Sequence, residues 1–337
     1  MKRLEALTLA LALLAMPSGS LLGSPISWTE LQGPAVGARA VGLSGCFATA
    51  FDEPSLVYWN PAGLSIMPTP ALTVSYLHSS GLLHDPIFSG PKRLNYIAYA
   101  TEGVGLAWRS LARYQERQLL GAGADSTFRY LKYGADEFTL AMAQSDPEMQ
   151  RWSMGLSAKF IWGRATEVDQ HDSAGAWGVA TILDDNGYGY GLDLGFQFRH
   201  QALRLGASAQ NLLAKVYWRE FDDDRPKPHL VGSLSWHGKQ NLVLSAGGEK
   251  YLGSGTPRLR YSAAGEYKHP LEGMGAVTFR GGYSQTYQGP ADGYSWSAGL
   301  GYFYKRFLVD AAGVKRLDPA SGSWRWSYLA SVTLFTE

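Results

Sequence analysis

The chain has 337 residues, a formal net charge of +1, and forty Gly, nineteen Tyr and eleven Trp. So balanced a charge gives no basis for a nucleic-acid partner, and this density of Gly and aromatics is rich for a soluble enzyme. One Cys excludes an internal disulfide, so stability rests on hydrogen bonding and burial.

At the N-terminus, Lys2 and Arg3 form a basic start, Leu7 to Ala15 an apolar run, and Ser18, Gly19 and Ser20 a small-residue cleavage site. Residues 1–20 read as a Sec signal peptide, which directs the mature chain out of the cytoplasm. The apolar run is about half the roughly twenty residues that a helix needs to cross a bilayer, and no second run of that length follows. Helical membrane proteins are thereby excluded. Leu43 to Cys46 looks like a lipoprotein cleavage box, but no apolar run directly precedes it.

The next stretch, Gly37 to Leu64, carries Gly37, Gly42, Gly45 and Gly63 among small Ala and Ser residues, which supply too little apolar surface for an independent core. It must pack inside something else. Its end, Tyr58-Trp59-Asn60-Pro61-Ala62-Gly63, joins two aromatics that need a wall to an Asn-Pro turn. This run of Gly37-Ala38-Arg39-Ala40, Gly42, Gly45, Phe47, Ala50 and Asp52, closing on Tyr58 to Gly63, resembles the N-terminal signature of FadL-type outer-membrane transporters and their PorV/PorQ-like relatives. The chain departs from it at Cys46, where a small residue is usual, and at Glu53-Pro54, which breaks the usual acidic pair. The resemblance implies an all-β fold: a transmembrane antiparallel barrel of fourteen strands, with an N-terminal hatch inside the lumen and passage of long-chain fatty acids or other hydrophobic compounds. The implied organisation is a signal peptide over 1–20, a hatch over 21–68 and a barrel over 69–335 in the bacterial outer membrane.

From Thr69 onward, apolar residues alternate with Gly, Ser and charged residues over about ten positions at a time, the period of a strand. Tyr188, Tyr190, Leu192, Leu194, Phe196 and Phe198 form one apolar face; Gly189, Gly191, Asp193, Gly195, Gln197 and Arg199 form the other. Either a sandwich or a membrane barrel fits one such strand. Strands are expected at 69–79, 92–100, 103–112, 135–144, 151–163, 188–200, 202–213, 228–237, 240–251, 259–268, 276–287, 293–304, 306–316 and 324–335. Tight turns at Thr101-Glu102, Gln201, Gly238-Lys239 and Lys305 alternate with long connections at 113–134, 164–187 and 214–227, the membrane-barrel pattern. Aromatics fall near strand ends, where girdles belong: Trp152 and Trp162, Tyr294, Trp296, Tyr302 and Tyr304, then Trp324 and Trp326. In the last strand Phe335 falls on the lumen phase, unlike the usual assembly signal of such barrels.

No catalytic pattern is present: there is no His-Glu-x-x-His, no Gly-x-Ser-x-Gly, and the Gly-x-Gly runs lie in strand phase without a helix behind them. No enzyme activity, cofactor or metal is expected. Arg39 and Asp52 are enclosed charges that read either as a latch, to each other or to Asp193, Lys159 or Arg199, or as separate solvated groups. Tyr58, Trp59, Asn60, Pro61 and Gly63 are the other hatch residues expected to meet ligand or to pack on the wall. In the 164–187 connection, Trp177, Val179, Ile182 and Leu183 form an apolar run, read either as a short helix that captures lipids or as a loop folded over its own mouth. Asp222 to Asp224 is a charge run with a cation-bridging and a solvated reading. The function expected is passive passage of a hydrophobic small molecule past the hatch, with outer-membrane lipids around the barrel. The alternative is a PorV-like docking subunit whose partner is a secreted protein or a secretion-system subunit.

Overall fold

The computed structural model describes residues 36–79, 92–120, 127–146, 151–173, 176–238, 241–252, 259–287, 293–317, 322 and 324–336. The expected signal peptide and residues 21–35 lie outside them. Fourteen strands close into one antiparallel barrel in which each strand pairs with its sequence neighbours and β1 pairs with β14. They are β1 Ala71–Ser79, β2 Lys92–Thr101, β3 Val104–Leu120, β4 Thr127–Ser145, β5 Trp152–Ser173, β6 Ala176–His200, β7 Leu203–Tyr217, β8 His229–His237, β9 Leu242–Tyr251, β10 Leu259–Leu271, β11 Gly275–Tyr287, β12 Gly293–Tyr304, β13 Phe307–Leu317 and β14 Trp324–Phe335. Number and closure agree with the alternation read from the sequence.

The period-two pattern decides which face meets which solvent. On β6, Tyr188 is 55% and Leu194 50% exposed, while Asp193 between them is fully buried. Trp152, Phe160, Trp162, Leu234, Trp236, Leu244, Leu300 and Val332 also point their side chains out, as one apolar band around the wall. From Tyr188 to Phe198 that band is about 25 Å tall, the height a membrane barrel presents to hydrocarbon. Aromatic girdles mark its edges: at one end Trp152 packs at a tilt against Phe196 and Phe198, with ring centroids 5.4 and 4.4 Å apart. With hydrocarbon-facing side chains all round a closed wall, the chain is a membrane-spanning barrel.

Two of the expected long connections are corrected. Residues 113–120 and 127–134 continue β3 and β4, and nearly all of 164–187 continues β5 and β6, which pair from Trp152 with Phe198 to Ser173 with Ala176. No helix forms at Trp177 to Leu183. Val, Thr and Ile there favour extended backbone, and cross-strand pairs hold the hairpin beyond the band. Arg164 grips Asp184 through two hydrogen bonds of 2.9 and 2.6 Å, and Thr166 donates to the same carboxylate at 2.9 Å. The short turns lie together at the other end of the barrel, at 102–103, 201–202, 272–274 and 305–306.

Inside the wall runs an inner segment from Val36 to Met67. It contains α1 (Ala38–Gly42), α2 (Leu56–Trp59) and a 3-10 turn (Pro61–Ile66). α1 packs on β11 to β14, whereas the 3-10 turn packs on β3 to β6, on the far side of the barrel. One segment can reach both only by crossing the lumen. Phe335 closes on it from the lumen phase of β14, packed against the segment's apolar core and Phe303.

Candidate functional site

The inner segment is tied to the wall where the sequence places its turn. Asn60 caps the 3-10 turn by accepting from the Ala62 amide at 3.2 Å, and Pro61 at the first helical position supplies a preset φ. The Asn60 side-chain amide then donates to Ala48 O at 2.7 Å and to Phe196 O on β6 at 3.0 Å. One side chain therefore joins two parts of the segment and the wall. The turn lies so close to the barrel that a side chain at Gly155 would collide with Pro61 and Ala62, one at Gly195 with Asn60 as well, and one at Gly206 with Ala48. Gly63 is as confined, since a Cβ there would stand 2.6 Å from Ala50 O. The lumen-phase glycines of the strands are thus the seat of the inner segment.

Tyr58 and Trp59 are both buried. Trp59 donates from its indole to Val36 O at 2.8 Å and packs edge-on against Phe47 and Tyr58. Tyr58 lies under the Arg109 guanidinium, 4.6 Å from its ring centre, while its carbonyl accepts from Gln210 at 2.7 Å. The structure places both in the packing of the segment.

Arg39 stands at the centre of a charge chain. Its guanidinium contacts Asp52 at 2.7 Å and grips Glu266 on β10 through bonds of 2.9 and 2.8 Å. Glu266 also accepts from Arg280 at 2.6 Å, and Arg280 pairs with Asp310. The wall partner is thus Glu266, not the Asp193, Lys159 or Arg199 named from sequence. Asp193 and Lys159 instead pair with each other at 2.8 Å. They belong to a second layer with Arg109 and Glu137, 2.9 Å apart, and with Asn211, whose amide donates to Asp193 at 2.7 Å. β7 reaches that layer by bulging: Asn211 and Leu213 have φ of 56°, and pairing with β6 shifts around Leu192. Such strained backbone persists only where its surroundings hold it, and here the Asn211 bonds do so. Breaking one partner of such enclosed pairs costs about 3–5 kcal/mol, so both layers fix the segment and wall in one arrangement.

Arg109, Glu137, Glu266, Gln197, Gln210 and Asn211 were missed by the sequence reading. Their signal was a polar residue on the lumen phase in mid-strand, but nothing in the pattern says which strand faces which.

Glu53 lies in the inner segment, which itself crosses no membrane, and is 1% exposed. Burial pushes its carboxyl from the ordinary 4.5 up to about 7; Arg39 opposes the shift, and Asp310 and Asp52 add to it. A raised pKa favours the neutral acid in the packed state, so its stabilising contribution is complete below pH 4.5 and is lost as pH rises through about 7. Amide exchange at Trp59 and Asn60, corrected for intrinsic pH dependence, should therefore quicken across that window. In Glu53→Gln the window should vanish; an unchanged profile would show that another group sets it.

Of the remaining sequence-named residues, Val179 and Ile182 are exposed on the β6 extension and Leu183 is half-buried, apart from the inner segment. The side chain of Trp177 lies outside the described residues. In the 218–228 connection Asp223 pairs with Lys215 at 2.7 Å, and Asp224 accepts from the Trp218 indole at 2.8 Å, so two of the three aspartates are engaged within the chain. Among the described residues no group of His, Cys, Asp and Glu could hold a metal ion. The shallow outer grooves, one lined by Leu194, Ala207, Gly232 and Gly248, lie on the lipid face and involve none of the segment's residues.

No family model and no curated protein matches the chain. Among solved structures it is similar to a Pseudomonas aeruginosa FadL homologue, at 12% identity and a TM-score of 0.60, covering 90% of this chain and 99% of that one. The Ralstonia pickettii toluene transporter TbuX superposes with a TM-score of 0.60 at 14% identity, over 90% and 98% of the two chains. The fold is the FadL-type barrel. The CymD monoaromatic hydrocarbon channel is a third such structure, at 12% identity and a TM-score of 0.60, covering 88% of this chain and 96% of that one. A FadL-type barrel so complete in both directions leaves no large part of either chain without a counterpart.

Proposed function

We propose that this chain is a bacterial outer-membrane barrel for passive passage of hydrophobic small molecules, gated by its N-terminal segment. In this reading residues 1–20 direct export, 21–68 form the hatch and 69–335 the barrel, with outer-membrane lipids against the apolar band. The carrying observation is the inner segment itself, which crosses the lumen and is seated on wall glycines and ion pairs. Solved neighbours of the same fold include a toluene transporter and a monoaromatic hydrocarbon channel, which supports an apolar cargo. The hatch residues Arg39, Asp52, Asn60, Pro61 and Gly63 hold the gate; Tyr58 and Trp59 fill its core. An apolar cargo needs neither a charged binding site nor an energy source to move down its gradient.

Reconstitution tests this reading. Proteoliposomes holding the full chain should take up an apolar fluorescent probe faster than empty vesicles, and a sugar of similar size no faster. Equal rates for probe in loaded and empty vesicles would remove the function.

A further inference from the structure

Above the Arg109–Glu137–Lys159–Asp193 layer, towards the long-hairpin end, the lumen changes character. Leu111, Leu131, Tyr133, Ile161 and Val216 turn inward there as a second apolar cluster, distinct from the core of the inner segment. What fills it is the connection after β7. Trp218 and Phe221 are half-buried against the cluster, edge to face with each other at 6.1 Å, and Trp218 lies 5.7 Å from Tyr133. The floor under the indole is made by Gly163 and Gly187, paired across β5 and β6. A Cβ at Gly187 would stand 2.7 Å from the indole, and one at Gly163 3.1 Å.

The indole is clipped in from two sides. Its N–H donates to Asp224 at 2.8 Å, and Asp224 pairs through its backbone with Val216. Asp185, 3% exposed on β6, accepts from the amides of Arg219 and Glu220 at 2.5 and 2.7 Å. Arg219 and Glu220 themselves are exposed, so solvent reaches the outer side of the clip directly. The glycine floor and its mainly aliphatic walls make an apolar seat of ring size, and the chain's own indole occupies it.

We propose that the Gly163–Gly187 seat is an entry site for apolar, ring-sized ligands and that Trp218 is a self-docked stopper which such a ligand displaces. The ligand class rests on the function proposed above; displacement of the stopper does not. When the seat is mostly occupied by the indole, apparent affinity falls by the fraction of chains in which it is free. A seat free about one time in ten weakens binding about tenfold.

The test uses N-phenyl-1-naphthylamine with the full chain in detergent, folded by heat-modifiable mobility. Trp218→Ala should bind the probe about tenfold more tightly than the parent, and Trp218→Ala with Gly187→Leu, which fills the vacated seat, should lose the gain. Equal affinity of parent and Trp218→Ala overturns the proposal. The unmutated chain gives an independent reading: saturating probe should speed amide exchange at Arg219 and Glu220, and unchanged exchange with probe bound likewise overturns it. Should these shifts occur while proteoliposomes pass no probe, the stopper stands and the passage function falls.

Discussion

Removing Val36–Leu64 is expected to leave a barrel that assembles and a lumen that leaks. The deletion takes out no strand and no wall-to-wall ion pair: Glu266 keeps Arg280, and Lys159 keeps Asp193. What it removes is the segment that, among the described residues, reaches from β11–β14 across to β3–β6. The glycine-lined seat at Gly155, Gly195 and Gly206 would then be a water-filled gap. Conductance across planar bilayers should rise from near baseline to open steps, and uptake of apolar probes should lose its dependence on hatch sequence. Asn60→Ala with Pro61→Ala is the milder form, since it deletes both amide bonds to Ala48 and Phe196 and the preset φ while leaving most of the volume. It should raise conductance less than the deletion does. A deleted chain that assembles yet conducts and excludes probes like the parent would make the segment a docking arm for a partner and not a gate.

The second large effect is on the outside of the wall. Leu194 is half exposed near the middle of the apolar band, between the Trp152–Phe196–Phe198 girdle and the tyrosines at 188 and 190. Leu194→Arg places a charge against hydrocarbon near the midplane and should cost ~2–4 kcal/mol of folding free energy into bilayers. Tyr188→Arg, at the edge of the same face, should cost about 1 kcal/mol or less, because a long cation there reaches the interface. Denaturant titration of refolding into vesicles reads both. Equal costs at the two positions would mean that the band is not where lipid begins and ends.

The neighbouring lumen face follows different rules. Asp193 is one residue away and completely buried, yet it cannot be treated as a solvated lumen charge. It accepts from Asn211 and pairs with Lys159, and neutralising it would leave that lysine, whose side chain is 1% exposed, with the Asn211 Oδ1 at 3.1 Å and a carboxylate no nearer than Glu137 at 3.9 Å among the described residues. Alternation told that Asp193 points inward; β5 alongside supplies its partner Lys159, and the bulge in β7 adds the Asn211 amide.

The sequence by itself determined the barrel, because strand phase is a local property. Each run from 69 to 335 writes its inside and outside in alternate residues, and tight turns at one end fix neighbours as antiparallel pairs. It also determined that Gly37 to Leu64 had to be enclosed, since that stretch lacks the apolar surface to fold alone and ends in an Asn-Pro turn. Hairpin length was not legible, because beyond the membrane band polar strands and polar loops have similar compositions. The tertiary structure decided the partners: Arg39 to Glu266 is a contact across 227 positions of sequence, made because α1, seated on β11 to β14, puts the Arg39 guanidinium within reach of β10. It likewise decided that Trp218 turns inward, which depends on two glycines on other strands leaving room for its ring. Local alternation carries the direction of a side chain, but closure of the barrel alone determines what stands opposite it.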